Sequence, residues 1–163
     1  MELYDACERG NIKEVRSLLQ THSPNQQHEE GRTPLRIATE KGYVEIVRLL
    51  LEHGADHTPD DDGWTPLFDA CFNRNIEIVR VLMNHGATMQ ATRQGTSPLM
   101  VACACGHLDI IELLVENGAD VNEEPNADGF NSIIYAARFG LDDVMRFLLR
   151  QGADRFVYTN VRR

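Results

Sequence analysis

The sequence predicts an all-α protein built from short helix-turn-helix units arranged in an array. Alanine recurs at intervals of 32 residues, at Ala6, Ala38, Ala70 and Ala102. Leucine forms a parallel column, at Leu18, Leu50, Leu82 and Leu114. Glycine forms two more, at Gly10, Gly42 and Gly106 and at Gly31, Gly63 and Gly95. A period of about 20 to 50 residues indicates a repeat architecture in which neighbouring units share one core.

The first helix of each unit begins at a hydroxyl residue and is short. Thr33 can accept a hydrogen bond from an unpaired backbone N–H, and Pro34 loses no donor at the first helical position. Gly42 follows nine residues after Thr33 and favours the left-handed conformation that ends helices. Two further units begin in the same way, at Thr65-Pro66 and Ser97-Pro98.

A second helix follows at once and carries one polar stripe. Glu45, Arg48 and Glu52 are spaced i, i+3 and i+7, which places them on one solvated face. Leu50 lies opposite and needs cover from neighbouring units, because two short helices cannot close a core alone. A turn at Asp60–Gly63 then leads to the next unit.

These residues carry a resemblance to a known family. The segment from Thr33 to Ala38, with Gly42 and Gly54-Ala55-Asp56, resembles the ankyrin repeat. The resemblance implies an ankyrin-repeat solenoid of helix-turn-helix units joined by β-hairpin-like loops. We expect one array over residues 1–163, with repeats at about 1–30, 31–62, 63–94, 95–128 and 129–163. The third copy departs from the family at Arg74-Asn75, and the fifth at Asn131-Ser132.

Composition and charge exclude several classes of protein. The chain has 163 residues, with 16 Lys and Arg against 25 Asp and Glu, a formal charge of -9. An acidic chain without a basic cluster argues against a nucleic acid or an anionic membrane as the partner. No apolar run is long enough to span a membrane, and no secretory signal is visible.

We expect a monomer as an isolated domain, in the cytoplasm or the nucleus. We also expect a further repeat or capping segment to follow, because the last predicted helix keeps an apolar outer face.

The sequence predicts no catalysis, cofactor or metal site. Cys7, Cys71 and Cys103 share a column with Thr39 and Ala137, which indicates tight packing of small side chains. Cys105 is expected to be the exposed thiol. The cysteines lack zinc-ligand spacing, and no nucleotide-binding or nucleophile motif is present.

Function is expected on the columns that vary between copies. By the family resemblance, the residue after each turn glycine and the two before each first-helix stop line a concave binding groove. We therefore expect a non-catalytic module that binds a protein or peptide with basic or apolar recognition residues. The predicted partner-binding residues are Arg32, Asp61, Asp62, Trp64, Phe72, Asn73, Thr96, Cys105, Phe130 and Phe139.

Three alternatives stay open at this point. Trp64 and Phe130 fit binding hot spots and staples between repeats equally well. The chain also fits a regulatory or targeting domain of a larger enzyme, channel or ubiquitin-ligase adaptor. Asn122, with Leu114 eight residues before it, resembles the sites that asparaginyl hydroxylases modify in ankyrin repeats. Ordinary turn chemistry is the competing interpretation of Asn122, and the first copy has Gln26 at the equivalent position.

Overall fold

The structure, a computed structural model, describes residues 2–154. All regular secondary structure in this part is helical, with ten α-helices in five consecutive pairs and one short 3-10 helix at Glu29–Gly31. The predicted all-α fold is confirmed. The chain divides into two compact units, Met1–Thr88 and Met89–Arg163. The end of the predicted fifth repeat, residues 155–163, lies outside the described residues.

Unit 1, Met1–Thr88, contains three helix pairs. Its helices are α1 (Glu2–Glu8), α2 (Ile12–Leu18), α3 (Pro34–Glu40), α4 (Val44–Glu52), α5 (Pro66–Phe72) and α6 (Ile76–Asn84). The first helices α1, α3 and α5 pack side by side, and the second helices α2, α4 and α6 form a parallel row. Each first helix therefore presents one end to a hairpin-like loop and its side to neighbouring first helices.

Local capping begins these first helices as predicted. The Thr33 side chain accepts a hydrogen bond from the backbone N–H of Arg36, and the Thr65 side chain accepts one from Phe68, both at 3.2 Å. Gly42 has a φ of 77° just beyond α3, a conformation that a residue with a Cβ rarely adopts. The predicted short first helix follows directly from these two signals.

The predicted columns form the core of unit 1. Its alanine column is completely buried, at Ala6, Ala38 and Ala70. Leu50 and Leu82 are completely buried as well. Leu18, from the same column, is only partly buried. The α2 helix ends at Leu18, earlier in its copy than α4 does, so this side chain lies at a helix end rather than within a helix.

Unit 2, Met89–Arg163, contains two helix pairs in its described part. They are α7 (Pro98–Cys105), α8 (Leu108–Glu116), α9 (Ser132–Arg138) and α10 (Asp142–Arg150). The α7 and α9 helices pack together, and α8 packs on α10. The core columns continue here, with Ala102, Ala136, Leu114 and Leu148 completely buried. No helix between residues 2 and 154 is long and apolar enough to cross a membrane.

Candidate protein-binding surface

Six predicted partner-binding residues lie on the loops and first helices of unit 1. We call them the unit 1 surface: Arg32, Asp61, Asp62, Trp64, Phe72 and Asn73. Asp61 and Asp62 are exposed at the tip of the loop before α5. Phe72 and Asn73 are exposed at the opposite end of α5.

The Asp60 carboxylate shapes the tip that carries these acids. The Asp60 backbone N–H donates to the carbonyl of Trp64 at 3.0 Å. Its Oδ1 atom accepts hydrogen bonds from the backbone N–H groups of Asp62 at 3.0 Å and Trp64 at 2.8 Å. The tip is therefore closed like a hairpin, and the backbone of Trp64 is fixed at its base.

The Trp64 ring is half-buried and contacts two other side chains. Its centroid lies 4.7 Å from that of Phe68 in an edge-to-face arrangement. The Arg36 guanidinium carbon lies 5.8 Å from the Trp64 centroid. These contacts are those of a staple between the loop and the first helices. A hot-spot role for the same ring stays a prediction.

A buried charge cluster supports Trp64, and the sequence interpretation missed it. Arg36 Nε donates to Asp69 Oδ2 at 2.7 Å, and its other guanidinium nitrogen Nη1 donates to Asp60 Oδ2. The three side chains are only 7 to 10% exposed. The sequence did offer one signal, because Arg36 is charged whereas the other four copies have an apolar or aromatic residue in its column: Tyr4, Phe68, Met100 and Ile134.

The ionisation of this cluster follows from burial and pairing. Burial is the largest influence on the Asp69 carboxyl and, with the charges of Glu40 and Asp60, raises its pKa despite the hydrogen bond and charge of Arg36. Burial lowers the pKa of the Arg36 guanidinium, but the two carboxylates outweigh burial and raise that pKa overall. Arg36 therefore stays cationic between Asp60 and Asp69. Close by, Arg32 Nη2 donates to Glu40 Oε2 at 2.5 Å.

Two phenylalanine rings are the large hydrophobic side chains that residues 2–154 leave exposed. Phe72 is 52% exposed in unit 1, and Phe139 is 54% exposed in unit 2. Each occupies one of the two columns before the first-helix stop. The structure therefore places exposed apolar surface at positions that the sequence proposes for partner binding.

The remaining predicted residues form the unit 2 surface: Thr96, Cys105, Phe130 and Phe139. Phe130 and Tyr135 have ring centroids 5.2 Å apart, and Tyr135 stacks on Phe139 at 6.3 Å. The Arg138 guanidinium lies 5.1 Å from the Phe130 centroid. The result is a row of three aromatic rings from the loop to the end of α9.

Asn126 has the position in unit 2 that Asp60 has in unit 1. Its Oδ1 atom accepts a hydrogen bond from the Phe130 backbone N–H at 3.0 Å. Its Nδ2 atom donates to the Thr96 hydroxyl at 3.1 Å and to the Tyr135 hydroxyl at 3.0 Å. The Thr96 hydroxyl is therefore already hydrogen-bonded within the unit 2 surface. Cys105 is exposed, although burial of part of its side chain raises the pKa of its thiol.

Glu123 ties the loop of unit 2 to two helix starts. The Ser132 hydroxyl donates a hydrogen bond to its carboxylate, and a hydrogen bond also joins Glu123 to the Ser97 side chain. Burial is the largest influence on the Glu123 carboxyl and, with the charge of Asp120, raises its pKa despite these two hydrogen bonds. Nothing in the sequence near Glu123 predicted these hydrogen bonds.

Asn122 is exposed but hydrogen-bonded on both sides of its amide. Its Nδ2 atom donates to the Gly152 carbonyl at 3.0 Å, and its Oδ1 atom accepts from the Asp154 backbone N–H at 2.8 Å. Asn25 makes the same two bonds in unit 1, with the Gly54 carbonyl and the Asp56 N–H. The assignment of Gln26 as the equivalent of Asn122 is therefore wrong, because the first copy is shifted by one residue.

The other cysteines are structural thiols. Cys7, Cys71 and Cys103 are completely buried, and Cys105 is exposed, so the predicted division is confirmed. Burial raises the pKa of Cys7 and of Cys103 to about 12. Between residues 2 and 154, no three His, Cys, Asp or Glu side chains are grouped so that they could hold a metal ion.

A family model described as ankyrin repeats in three copies matches residues 3–93 and 88–157. The chain belongs to the ankyrin-repeat family. Ankyrin repeats are generally protein–protein interaction modules and are typically non-catalytic. A search of curated proteins found no match to this chain.

The two departures from the ankyrin pattern keep the ankyrin cap geometry. Asn131 replaces the usual threonine, and its side chain accepts a hydrogen bond from the Ile134 N–H at 3.2 Å. Arg74 replaces the usual glycine and adopts a φ of 53°. Asn75 then caps α6 by accepting from the Ile78 N–H at 3.2 Å. At both sites, a different side chain therefore provides the helix cap or the left-handed backbone conformation that the ankyrin pattern requires.

Proposed function

We propose that this ankyrin-repeat chain binds a protein or peptide partner through its loop tips and first helices, without catalysis. The observation that carries the proposal is the exposure of Phe72 and Phe139 in the columns predicted for partner contact. Aromatic rings that become buried on association are frequent hot spots of protein interfaces. Burial of either ring by a partner would remove apolar surface from water.

The loop tips at the starts of these first helices support the same proposal. Asp60 in unit 1 and Asn126 in unit 2 each accept two backbone hydrogen bonds within their own tip. A tip held in one conformation loses little conformational entropy when a partner binds. Side chains such as Trp64 would therefore meet a partner from a fixed position.

The proposal is tested by affinity capture with the full chain as bait. Wild type is compared with Trp64→Ala and with Trp64→Phe, and captured proteins are identified by mass spectrometry. Phenylalanine is the matched control, because Phe130 occupies the same column in unit 2. We expect a partner that Trp64→Ala loses and Trp64→Phe binds more weakly. Capture of the same proteins in equal amounts by all three would contradict a contact at Trp64.

Hydroxylation of Asn122 is a second proposal, favoured by Leu114 eight residues before it and by its exposure. Because its amide bonds Gly152 and Asp154, the enzyme requires the loop to open first. Asn25 is the internal control, since it makes the same bonds but has Ser17 eight residues before it. Mass spectrometry of protein from animal cells should find one added oxygen on Asn122 and none on Asn25. If neither Asn122 nor Asn25 carries an added oxygen, the proposal is contradicted and both are turn residues only.

A further inference from the structure

We infer that the unit 1 surface recognises an arginine or lysine side chain beside an apolar residue, presented by an extended peptide segment of a partner protein. The inference rests on the proposed function and specifies the partner's chemistry. It combines the exposed and half-buried aromatic rings of unit 1 with the charge around them.

Arg32, the one cation among the six residues of this surface, and its buried neighbour Arg36 are already paired with carboxylates within the chain. Arg36 pairs with Asp60 and Asp69 in a cluster that is nearly buried. Arg32 pairs with Glu40. Neither arginine is therefore a source of unbalanced positive charge for an acidic partner.

Four carboxylates at the two neighbouring tips are exposed: Glu29, Glu30, Asp61 and Asp62. The structure contains no ion pair to any of the four within residues 2–154. The surface thus carries an excess of negative charge at the tips beside Trp64, and a cationic side chain would complement it.

The two tips are held together, so their charges act at one place. The Asp61 backbone N–H donates to the Glu30 carbonyl at 3.2 Å. A Cβ atom placed on Gly31 would lie only 2.9 Å from Asp61 Oδ1, which shows how closely the tips approach. The backbone turn at Asp60 also fixes Asp62 relative to Trp64.

The aromatic rings favour a cation beside an apolar residue. Trp64 is joined to the acidic tip through Gly63, and its ring already lies near the guanidinium of Arg36. Arginine and lysine both interact favourably with aromatic faces while pairing with carboxylates. Phe72, at the opposite end of α5, is 52% exposed and offers contact to an apolar residue a few positions from the cation in the same peptide.

Unit 2 lacks this charge pattern, which makes it an internal control. Its two tips carry Arg93 and Gln94 in the columns of Asp61 and Asp62, followed by Ala127 and Asp128 in the next copy. The signs are mixed, although Phe130 and Phe139 keep the aromatic character. Preference for a basic peptide should therefore map to unit 1 and not to unit 2.

The test is selection of a displayed library of random 12-residue peptides on the full chain, followed by affinity measurement of the enriched peptides in 50 mM and 300 mM salt. Asp61→Asn with Asp62→Asn is compared with Glu112→Gln with Glu116→Gln, a control of equal charge change on the solvated face of α8. We expect enriched peptides with Arg or Lys within a few positions of an apolar residue. The tip double variant should weaken them about 3- to 10-fold in low salt, and the α8 variant by less than about 2-fold.

Other outcomes separate this inference from the proposed function. Peptides that require Trp64 and Phe72 but lack a cation, or ignore the tip double variant, overturn the inference and leave the proposed function standing. Peptides that bind equally well to Trp64→Phe, Phe72→Ala and Phe139→Ala overturn both. A selection that enriches acidic peptides, or none, also overturns the inference.

Discussion

Removing the cation from the buried cluster of unit 1 should strongly destabilise the protein. Arg36→Met keeps the length of the side chain but leaves Asp69 without its hydrogen-bond donor. Asp60 keeps two backbone donors, so the larger loss is expected at Asp69. The Asp69 side chain is 7% exposed, and breaking a buried pair from one side costs about 3 to 5 kcal/mol.

The pH dependence of that loss has a definite sign. Burial already raises the pKa of Asp69 in the wild type, and removing Arg36 raises that pKa further. Protonation of Asp69 then stabilises the folded variant at low pH, and this contribution is lost as pH rises through the folded pKa. The cost of Arg36→Met should therefore be larger at pH 7.5 than at pH 5.

Urea unfolding followed by circular dichroism and by fluorescence measures the effect. Trp64 is the single tryptophan of the chain, so tryptophan fluorescence reports on the surroundings of this ring. A second substitution provides the rescue: Arg36→Met with Asp69→Val introduces at each position the apolar residue that the fourth copy has in the same column, Met100 and Val101. The double variant should recover most of the lost free energy of unfolding, because neither charge remains unpaired there. A loss below about 1 kcal/mol in Arg36→Met, or no rescue, would refute the buried pairing.

Three further predictions concern the core, the loop of unit 2 and the thiols. Leu50→Ala should lower the free energy of unfolding by about 2 to 5 kcal/mol through a cavity, and Ala70→Leu by about 1 to 3 kcal/mol through overpacking; unchanged urea midpoints would mean that the columns are misassigned. Because burial raises the pKa of Glu123 above its ordinary 4.5, the folded chain holds that proton more tightly than the unfolded chain. Wild type should therefore gain stability relative to Glu123→Gln as pH falls from 7 to 5, and a relative loss would contradict burial of this carboxyl. Maleimide should label Cys105 in the native chain, whereas the three buried cysteines should react only in denaturant; labelling of all four at similar rates would contradict their burial.

The fold could be predicted because its signals are local. A hydroxyl at Thr33 or Thr65 caps the N–H three residues later, and Gly42 stops the helix by its own backbone conformation. These requirements involve residues within one turn of each other. Substituted copies meet them as well, since the amide of Asn131 accepts the same bond as a threonine hydroxyl.

The exposure of the two phenylalanines could also be predicted, because they lie in columns that vary between copies and precede the first-helix stop. Phe72 and Phe139 are exposed as this reasoning requires. The sequence could not decide between a staple and an exposed ring at Trp64, since the Arg36 guanidinium that lies near this ring comes from the preceding copy, 28 residues earlier.

Long-range pairing explains what the sequence did not reveal. The bonds of Arg36 reach Asp60 and Asp69, 24 and 33 residues away. Comparing the repeat copies shows that these side chains differ from those at the equivalent positions. It does not show that they contact each other. Asn25 was missed for another reason, because counting at a fixed period assigned its role to Gln26.

The most direct test of partner binding at the unit 1 surface is the dissociation constant of the captured partner for Phe72→Ala against wild type. Phe72 is 52% exposed, so its substitution removes only part of a buried side chain and should lower the free energy of unfolding by about 1 kcal/mol. If the ring is a hot spot, affinity should fall by about 2 kcal/mol or more, roughly 30-fold. Equal dissociation constants for the two proteins would contradict partner binding through this surface.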